Sequence, residues 1–290
     1  MVRQPIIIVG TGRCGSTIFQ QVLGEHPEIA WLSSVYDWYP RVPAINQVLM
    51  KVVDYPLIGN YLKRQKVFRP WEPYAIWDRH YPGFSRPFRD LRIDDVTPLA
   101  KKRFHKIAAQ MVTPKRHRLM IKITGWPRLG FLAEVFPDAK FIHVVRDGRA
   151  VVNSMLNVKW WTGWKGPTNW GWGELNAEEK AQLAEYRHSF IALASVEWNH
   201  LIRAMATAKQ EIDPENFLEI RYEDFCENVV GTIHDVAAYC NLSWNEQVAA
   251  AVGAYHIREK NYKWQEELTS AQQAMMNDIM GCYLKQYHYL

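Results

Sequence analysis

A short stretch near the start of the chain could bind a phosphate group. Gly10, Gly12 and Gly15 allow a tight turn and a close approach of the backbone to a ligand, and Ser16 and Thr17 stand where a helix should begin. Free N–H groups at the start of a helix, together with the positive end of the helix dipole, attract anions. The stretch therefore predicts an anion-binding loop, although a purely structural glycine turn would contain the same residues.

The loop has the spacing of a P-loop but lacks one of its members. Gly10-x-x-x-x-Gly15 is followed by Ser16 where a Walker A sequence has lysine, and the cation of this loop is instead Arg13. Without the lysine that reaches the β- and γ-phosphates, a nucleoside triphosphatase is disfavoured. The loop can still hold one 5′-phosphate, with Arg13 directed at the group that leaves from it.

The elements that must position this loop alternate between strands and helices. Ile6 to Val9 is a run of four β-branched residues, which is typical of a parallel strand buried on both faces. Three further segments are predicted strands: Arg118 to Thr124, Lys140 to Val145 and Phe217 to Arg221. The alternation predicts an α/β fold, a P-loop-like parallel sheet flanked by helices, with its ligand site at the carboxyl ends of the strands.

Helical periodicity and capping signals predict the segments between the strands. Asn176 and Glu179 form a capping box that opens a long helix to about Lys209, and Ser270 with Gln273 caps the last helix. The other predicted helices are Gly15 to Gly24, Ala44 to Lys66, Thr97 to Met111, Phe131 to Phe136, a helix through Val151 to Leu156, and one that ends near Cys240.

Three cations fall at or near predicted strand ends: Arg13, Lys122 and Arg146. Because the carboxyl ends of parallel strands meet at one edge of a sheet, we expect these cations to converge on a polyanionic ligand. The net charge of +5 agrees with an anionic ligand. Charge alone does not exclude nucleic acid, but no recognised nucleic-acid module is present.

Composition indicates an ordinary globular protein. The 290 residues, 48% hydrophobic and 22% charged, suit one domain over residues 1–290, with residues 31–96 as an irregular insertion or acceptor-binding region. The four cysteines lack metal-ligand spacing with the ten histidines and predict reduced thiols. No apolar run approaches the ~18 residues of a membrane span, and the first strand leaves no room for a signal peptide. We therefore expect a soluble, cytoplasmic protein without a metal site.

Two aromatic regions could contact a substrate. Seven prolines punctuate the chain from Trp31 to about Phe88, which favours either a lid over an acceptor or an irregular surface insertion. A later loop contains five tryptophans, which could line a pocket for an apolar or sugar-like acceptor or stiffen the surface. These are Trp160, Trp161, Trp164, Trp170 and Trp172.

These motifs together resemble the sulfotransferases that use 3′-phosphoadenosine 5′-phosphosulfate (PAPS). The likeness is closest to the bacterial and the tyrosylprotein or carbohydrate branches, which carry arginine in the first loop. The segment Gly12-Arg13-Cys14-Gly15-Ser16-Thr17 resembles the loop of the family that holds the 5′-phosphosulfate. The resemblance covers most of the chain in the right order, except for residues 31–114.

Later segments resemble the other nucleotide-binding motifs of that family. Arg146, with Ser154 eight residues further on, is similar to the site that holds the 3′-phosphate. Tyr222 lies in a segment similar to the one whose tyrosine contacts the adenine. Lys263 and Trp264 are similar to the late loop that closes over the nucleotide.

The resemblance implies a catalytic role for two of the cations. Sulfuryl transfer depends on in-line positioning and on stabilising the charge of the leaving oxygen. Arg13 would stabilise the leaving 5′-phosphate, held by the N–H groups of Gly15, Ser16 and Thr17. Lys122, within a residue of the second catalytic lysine of the family, would neutralise the transferring group; a strand-end surface lysine is the alternative.

The acceptor hydroxyl needs a general base, and here the chain departs from the resemblance. Ser33 and Ser34 stand where the tyrosylprotein branch has a glutamate, so Asp37, just beyond, is our candidate base and His80 a weaker one. The family's serine before Lys-Trp is replaced by Tyr262. The acceptor could be a glycan, a phenol, a lipid alcohol or a peptide tyrosine.

Two other functions fit parts of the sequence. A P-loop kinase or nucleotidase using ATP and Mg²⁺ would place its metal on Asp147, but it conflicts with the missing Walker lysine. A noncatalytic nucleotide-binding protein would keep the phosphate loops and lack a base.

Overall fold

The centre of the molecule is a five-stranded parallel sheet. The computed structural model describes residues 2–85, 88–167 and 173–290. The strands are β1 (Ile6–Gly10), β2 (Ile29–Trp31), β3 (Arg118–Thr124), β4 (Lys140–Val145) and β5 (Phe217–Arg221). They are ordered β2-β3-β1-β4-β5, so the strand that precedes the glycine-rich loop is the central one, as predicted.

The register of the sheet brings the predicted site residues to one edge. Gly10 at the end of β1 pairs with Thr124 at the end of β3, and Ile8 pairs with Lys122. β4 pairs with both β1 and β5, and its last residue, Val145, is followed by Arg146. The loops after β1, β3 and β4 therefore leave the sheet from the same edge, where open α/β sheets bind ligands.

Helices surround the sheet within the described ranges. They are α1 (Ser16–Leu23), α2 (Val35–Trp38), α3 (Ile45–Val53), α4 (Pro56–Arg64), α5 (Tyr74–His80), α6 (Pro98–Ala109), α7 (Leu129–Val135), α8 (Gly148–Leu156), α9 (Ala177–Glu185), α10 (Phe190–Ala208), α11 (Tyr222–Glu227), α12 (Val229–Tyr239), α13 (Glu246–Gly253), α14 (Lys263–Glu267) and α15 (Ser270–Gln286).

The two faces of the sheet pack against different sets of helices. Ile7 and Val9 of β1 lie in a core with side chains of α6 and α7, whereas Ile6 and Ile8 lie in a second core with α1 and α12. A third core joins α8, α10 and α15. β1 is thus buried on both faces, which explains its unbroken β-branched sequence.

The predicted long helix from Ala177 to Lys209 is wrong. It is two helices, α9 and α10, because Arg187 and His188 have positive φ angles of 49° and 53° and end the helical path. Ser189 then starts α10 by accepting a hydrogen bond from the N–H of Ala192. The apolar spacing continues across the break, and for that reason periodicity alone concealed it.

Smaller differences have local causes. The predicted helix from Ala44 to Lys66 is divided into α3 and α4, because Pro56 begins a new helix at its first position. The cap of α15 is Thr269, paired with Gln272, one residue before the predicted pair. β2 and α13 were not predicted. β2 has only three residues, too few for a recognisable period.

The described part of residues 31–96 contains the four helices α2 to α5 and the irregular segments between them. Within the ranges that the structure describes, no helix combines the length and the apolar character that crossing a bilayer requires.

Candidate functional site

The glycine-rich loop is built as an anion cradle. Gly12, Arg13 and Gly15 have positive φ angles of 84°, 54° and 88°. Left-handed backbone conformations of this kind are typical of the concave loops whose N–H groups bind anions. Gly15 is the N-cap of α1, and no side chain caps this helix. The first N–H groups of a helix have no partner within it, so those of Ser16 and Thr17 stand available to an anion.

Two glycines of this loop are required by their neighbours. A Cβ on Gly15 would collide with the ring of Tyr222, and one on Gly10 would collide with the Sγ of Cys14. Cys14 points its side chain into the core, where it is 1% exposed. Only its backbone can therefore serve a ligand at the loop.

Arg13 and Arg146 lie side by side. The Nη1 of Arg146 donates to the backbone oxygen of Arg13 at 3.1 Å, and the Nε of Arg13 donates to the Oγ of Ser154 at 2.9 Å. Burial, and next the charge of Arg146, lower the pKa of Arg13. Two motifs more than 130 residues apart in the sequence thus form one cluster of positive charge.

A polar network that the sequence did not reveal holds Arg146 in place. Its Nε donates to the Oδ1 of Asn261 at 2.7 Å, and its guanidinium lies 4.7 Å from the ring centroid of Tyr222. The amide of Asn261 donates in turn to Glu223, which also accepts from the hydroxyl of Tyr289 at 2.7 Å. Asn261 carries no motif that would have identified it in advance.

Lys122 reaches the first turn of α1 from β3. Its Nζ donates to the Oγ1 of Thr17 at 2.8 Å, and the side chain is only 5% exposed. The same Nζ lies 3.2 Å from the Oε2 of Glu72. Lys122 is therefore a buried, paired cation beside the glycine-rich loop, and not a strand-end surface lysine.

Glu72 is the carboxylate that the sequence analysis missed at this edge. Its Oε1 accepts from the backbone N–H of Thr124 at 2.5 Å, from the hydroxyl of Thr124 at 2.9 Å and from that of Tyr74 at 2.5 Å. These donors orient its Oε2 toward Lys122. Glu72 stands between two prolines in an irregular segment, so no spacing linked it to the phosphate loop.

Asp37, the predicted base, is separated from Glu72 by the side chain of Trp71. It is exposed, and its Oδ2 accepts from the indole Nε1 of Trp71, the residue before Glu72. Partial burial raises the pKa of Asp37, opposed by this hydrogen bond. Gln20 of α1 ties the segment to the site by donating to the backbone oxygen of Trp71 at 3.1 Å.

The predicted nucleotide contacts Lys263 and Trp264 have other partners in the structure. Trp264 is 6% exposed and packs under the guanidinium of Arg149 at 4.5 Å, while Lys263 lies 3.9 Å from Glu267 at the surface. α14 joins α8 because Asn153 donates to Glu267 at 2.7 Å. Among the described residues, no hydrogen bond, ion pair or cation–ring contact joins Lys263 or Trp264 to Arg13 or Arg146.

Asp147 has a structural task. Its Oδ1 accepts from the N–H of Arg149 at 2.9 Å, which caps α8, and its Oδ2 accepts from the Nη2 of Arg149 at 2.8 Å. Both oxygens are therefore engaged by Arg149. Across residues 2–85, 88–167 and 173–290, no three side chains of His, Cys, Asp or Glu are grouped as metal ligands would be.

The tryptophan loop is only partly described. Trp160 and Trp164 are exposed, whereas Trp161 is buried and donates to Glu197 at 2.9 Å. Trp170 and Trp172 lie outside the described residues.

Comparisons with known proteins agree on one family. The sequence profile of the sulfotransferase family matches residues 5–246. The omega-hydroxy-beta-dihydromenaquinone-9 sulfotransferase of Mycobacterium bovis is 24% identical over 306 aligned positions, which cover 98% of this chain and 75% of that protein. Protein-tyrosine sulfotransferase 1 of Danio rerio is 28% identical over 120 positions, which cover 41% of this chain and 28% of that protein.

A solved structure has the same fold. A sulfotransferase from Mycobacterium avium superposes with a TM-score of 0.60 at 18% identity, covering 99% of this chain and 77% of that one. The predicted α/β fold, with a parallel sheet between helices, is confirmed.

Proposed function

The chain belongs to the sulfotransferase family, and on this premise we propose that it transfers a sulfuryl group from PAPS to a hydroxyl group of an acceptor. The observation that carries the choice of donor is the contact between the two phosphate motifs, in which Arg146 donates to the backbone of Arg13 at 3.1 Å. A donor with phosphates at both the 5′ and the 3′ positions of one ribose needs cations from two motifs that adjoin each other, as those of Arg13 and Arg146 do. A nucleoside triphosphate is held chiefly by the Walker lysine and Mg²⁺, and this loop lacks that lysine.

The residues present fit the 5′ end of such a donor. The loop has positive φ angles at Gly12, Arg13 and Gly15, and α1 has no side-chain cap that would occupy its N-terminus. In our proposal this loop holds the 5′-phosphate. Arg13 stabilises the charge that develops on the leaving oxygen, and Lys122 neutralises the transferring group.

In our proposal, Arg146 and its neighbours bind the 3′ end of the donor. Arg146 and Ser154 hold the 3′-phosphate, and Tyr222 contacts the adenine. Support comes from the surroundings of Arg146, which are a neutral amide and an aromatic ring, so its charge is not directly cancelled by a carboxylate. Lys263 and Trp264 remain proposed nucleotide contacts that would require α14 to change its packing.

The donor, when bound, supplies an activated sulfuryl group, and the chain must supply a base for the acceptor. We assign the base to Glu72, because its Oε2 lies 3.2 Å from Lys122 and thus beside the proposed path of the sulfuryl group. The proton of the acceptor hydroxyl would pass to this oxygen as the new O–S bond forms. Asp37 is retained as the alternative base, separated from Glu72 by Trp71.

Relatives act on hydroxyl groups of two kinds. The relative aligned over 98% of this chain is named for a hydroxylated dihydromenaquinone, and the one aligned over 41% is named for protein tyrosine. We propose a lipid alcohol as the acceptor, since the longer alignment includes the residues that would surround it. The proposed location remains the cytoplasm.

A transfer assay tests this proposal. The purified chain is incubated with labelled PAPS and with a glycan, a phenol, a long-chain lipid alcohol or a tyrosine peptide, without added metal. We expect transfer to the lipid alcohol, and a loss of roughly 100- to 1,000-fold in Arg13→Ala. Arg3→Ala, an exposed arginine before β1, is the matched control and should retain activity.

Two results would overturn the proposal. Transfer to none of the four acceptors, with unimpaired binding of adenosine 3′,5′-bisphosphate, would indicate a noncatalytic binding protein. Stabilisation only by ATP with Mg²⁺ would indicate the kinase or nucleotidase function instead.

A further inference from the structure

Exposed apolar side chains are concentrated in one short stretch. Eight of the eighteen large apolar residues that are exposed among the described ranges lie between positions 38 and 61. We call them the apolar patch: Trp38, Tyr39, Val42, Val48, Tyr55, Leu57, Ile58 and Tyr61. Scattered surface apolar residues are ordinary, whereas contiguous exposed apolar area marks an interaction site. The closeness of these eight residues in the sequence makes this stretch the candidate for such a site.

The helix α4 presents its apolar side outward while it is fixed to the protein on the other side. Leu57 is 89% exposed and Tyr61 is 64% exposed, one helical turn apart. On the opposite side, Gly59 approaches the backbone oxygen of Val53, and Leu62 packs against the core beneath α1. The outward side chains therefore belong to a docked helix.

A cluster of cations adjoins the apolar patch. Arg41, Arg79, Arg103 and Lys106 are exposed and, with His80, line a cavity of about 340 Å³ that contains no carboxylate. None of these four cations forms an ion pair with any carboxylate in the described parts of the chain. Burial, followed by the charges of Arg103, Arg79 and Lys106, lowers the pKa of His80, as expected where positive charges face one another.

The chain itself and one buried hydrogen bond hold the two features beside each other. Arg41 lies within the stretch that bears the apolar patch, next to Val42. Asn46 of α3 donates to the backbone oxygen of Met111 at 2.7 Å, which fixes α3 against the end of α6, the helix that carries Arg103 and Lys106. The one carboxylate in the sequence of this stretch, Asp54, pairs with Arg116 at 2.9 Å, and Asp37, just before the stretch, accepts a hydrogen bond from Trp71.

We propose that the apolar patch and the four cations form a surface that docks on a bilayer containing anionic phospholipid. Aromatic and aliphatic side chains enter the headgroup region, and cations beside them meet lipid phosphates. The charge complementarity favours this occupant over a second copy of the chain, because stacking two such surfaces would oppose cation to cation. The docking does not depend on which donor or acceptor the site uses.

Vesicle binding by the full chain tests the proposal. Co-sedimentation is measured with vesicles of phosphatidylcholine alone and with vesicles that also contain phosphatidylglycerol. We expect binding to the anionic vesicles, weakened by salt, and little binding to the neutral ones. At constant ionic strength, inorganic phosphate should not displace the protein from the vesicles, because a free ion offers no contact to the apolar side chains.

Variants separate the two parts of the surface. Arg79→Gln with Arg103→Gln should weaken binding by about 25-fold, roughly fivefold for each cation removed. Leu57→Glu with Ile58→Glu should abolish binding. The matched controls are Lys180→Gln with Lys285→Gln, and Val230→Glu, which lie on other exposed surfaces and should bind as the unaltered chain does.

Several outcomes would overturn the proposal. These are absence of binding to the anionic vesicles, equal binding to both kinds of vesicle, and equal losses in the control variants. Self-association that disappears in Leu57→Glu with Ile58→Glu, without vesicle binding, would identify a second copy as the occupant. Thermal unfolding of each variant verifies that the fold is retained.

Discussion

The two ends of the proposed nucleotide site hold their cations in opposite ways. Lys122, at the 5′ end, is buried and lies 3.2 Å from the carboxylate of Glu72. Arg146, at the 3′ end, is held by the neutral amide of Asn261 and the ring of Tyr222, with Glu223 one hydrogen bond further away.

This difference agrees with the role that we propose for each end of the site. A cation at the reacting centre is oriented by a carboxylate that can also take a proton. A cation that binds a stable phosphate keeps its charge available to that phosphate, because a direct carboxylate partner would compete with it. Glu223, the acid at the proposed 3′ end, accepts a hydrogen bond from Asn261, and under our proposal this leaves the charge of Arg146 available to the phosphate.

We expect the largest effect on turnover from replacing Glu72. Glu72→Gln keeps the hydrogen bonds to Thr124 and removes the base, so we expect turnover to fall by about 100-fold or more while bisphosphate affinity changes little. Asp37→Asn is the matched variant and should have a much smaller effect. The measurement is steady-state sulfate transfer at saturating donor.

The reverse order of these two effects would transfer the role of base to Asp37. Because Glu72→Gln also leaves the buried Lys122 without its ion-pair partner, thermal unfolding should accompany the assay. A fall in turnover that merely follows a loss of folded protein would contradict the catalytic assignment.

We expect a smaller effect, on nucleotide affinity, from a change at the proposed 3′ end. Asn261→Ala removes the amide that separates Arg146 from Glu223, so the carboxylate can compete with a 3′-phosphate. We expect bisphosphate affinity to fall by about tenfold, as for the loss of one charge-assisted hydrogen bond, with turnover at saturation preserved. Asn157→Ala, on the exposed side of α8, is the control. Titration calorimetry gives both affinities, and an unchanged affinity in Asn261→Ala would remove this network from the account.

The parts of the fold that could be predicted are those with a strong local pattern. The strands at 118–124, 140–145 and 217–221 have the predicted bounds. The first two are nearly continuous buried apolar runs, and the third, FLEIR, alternates apolar and charged residues over its last four positions. The break between α9 and α10 was missed, because Arg187 and His188 adopt positive φ angles. Such angles are usually predicted from glycine, and this segment has none. The short strand β2 depends on pairing with β3 and not on its own three residues.

The site divides in a similar way. Residues within motifs, such as Arg13, Lys122 and Arg146, were predicted and do meet at one edge. Glu72 and Asn261 were not, because each reaches the site from a segment without a motif and is placed by the tertiary fold. The predicted base, Asp37, came from its spacing after His26-Pro27 and lies near Glu72 only because both contact or adjoin Trp71.

The most direct test of the central claim compares two nucleotides in two proteins. Calorimetry measures the affinity of adenosine 3′,5′-bisphosphate and of adenosine 5′-monophosphate for the unaltered chain and for Arg146→Ala. If Arg13 and Arg146 serve the two phosphates of one nucleotide, the unaltered chain prefers the bisphosphate by about 10- to 100-fold, and Arg146→Ala loses most of that preference while binding the monophosphate almost as before. Equal affinities for the two nucleotides in the unaltered chain, or an equal loss of both in Arg146→Ala, would contradict the claim.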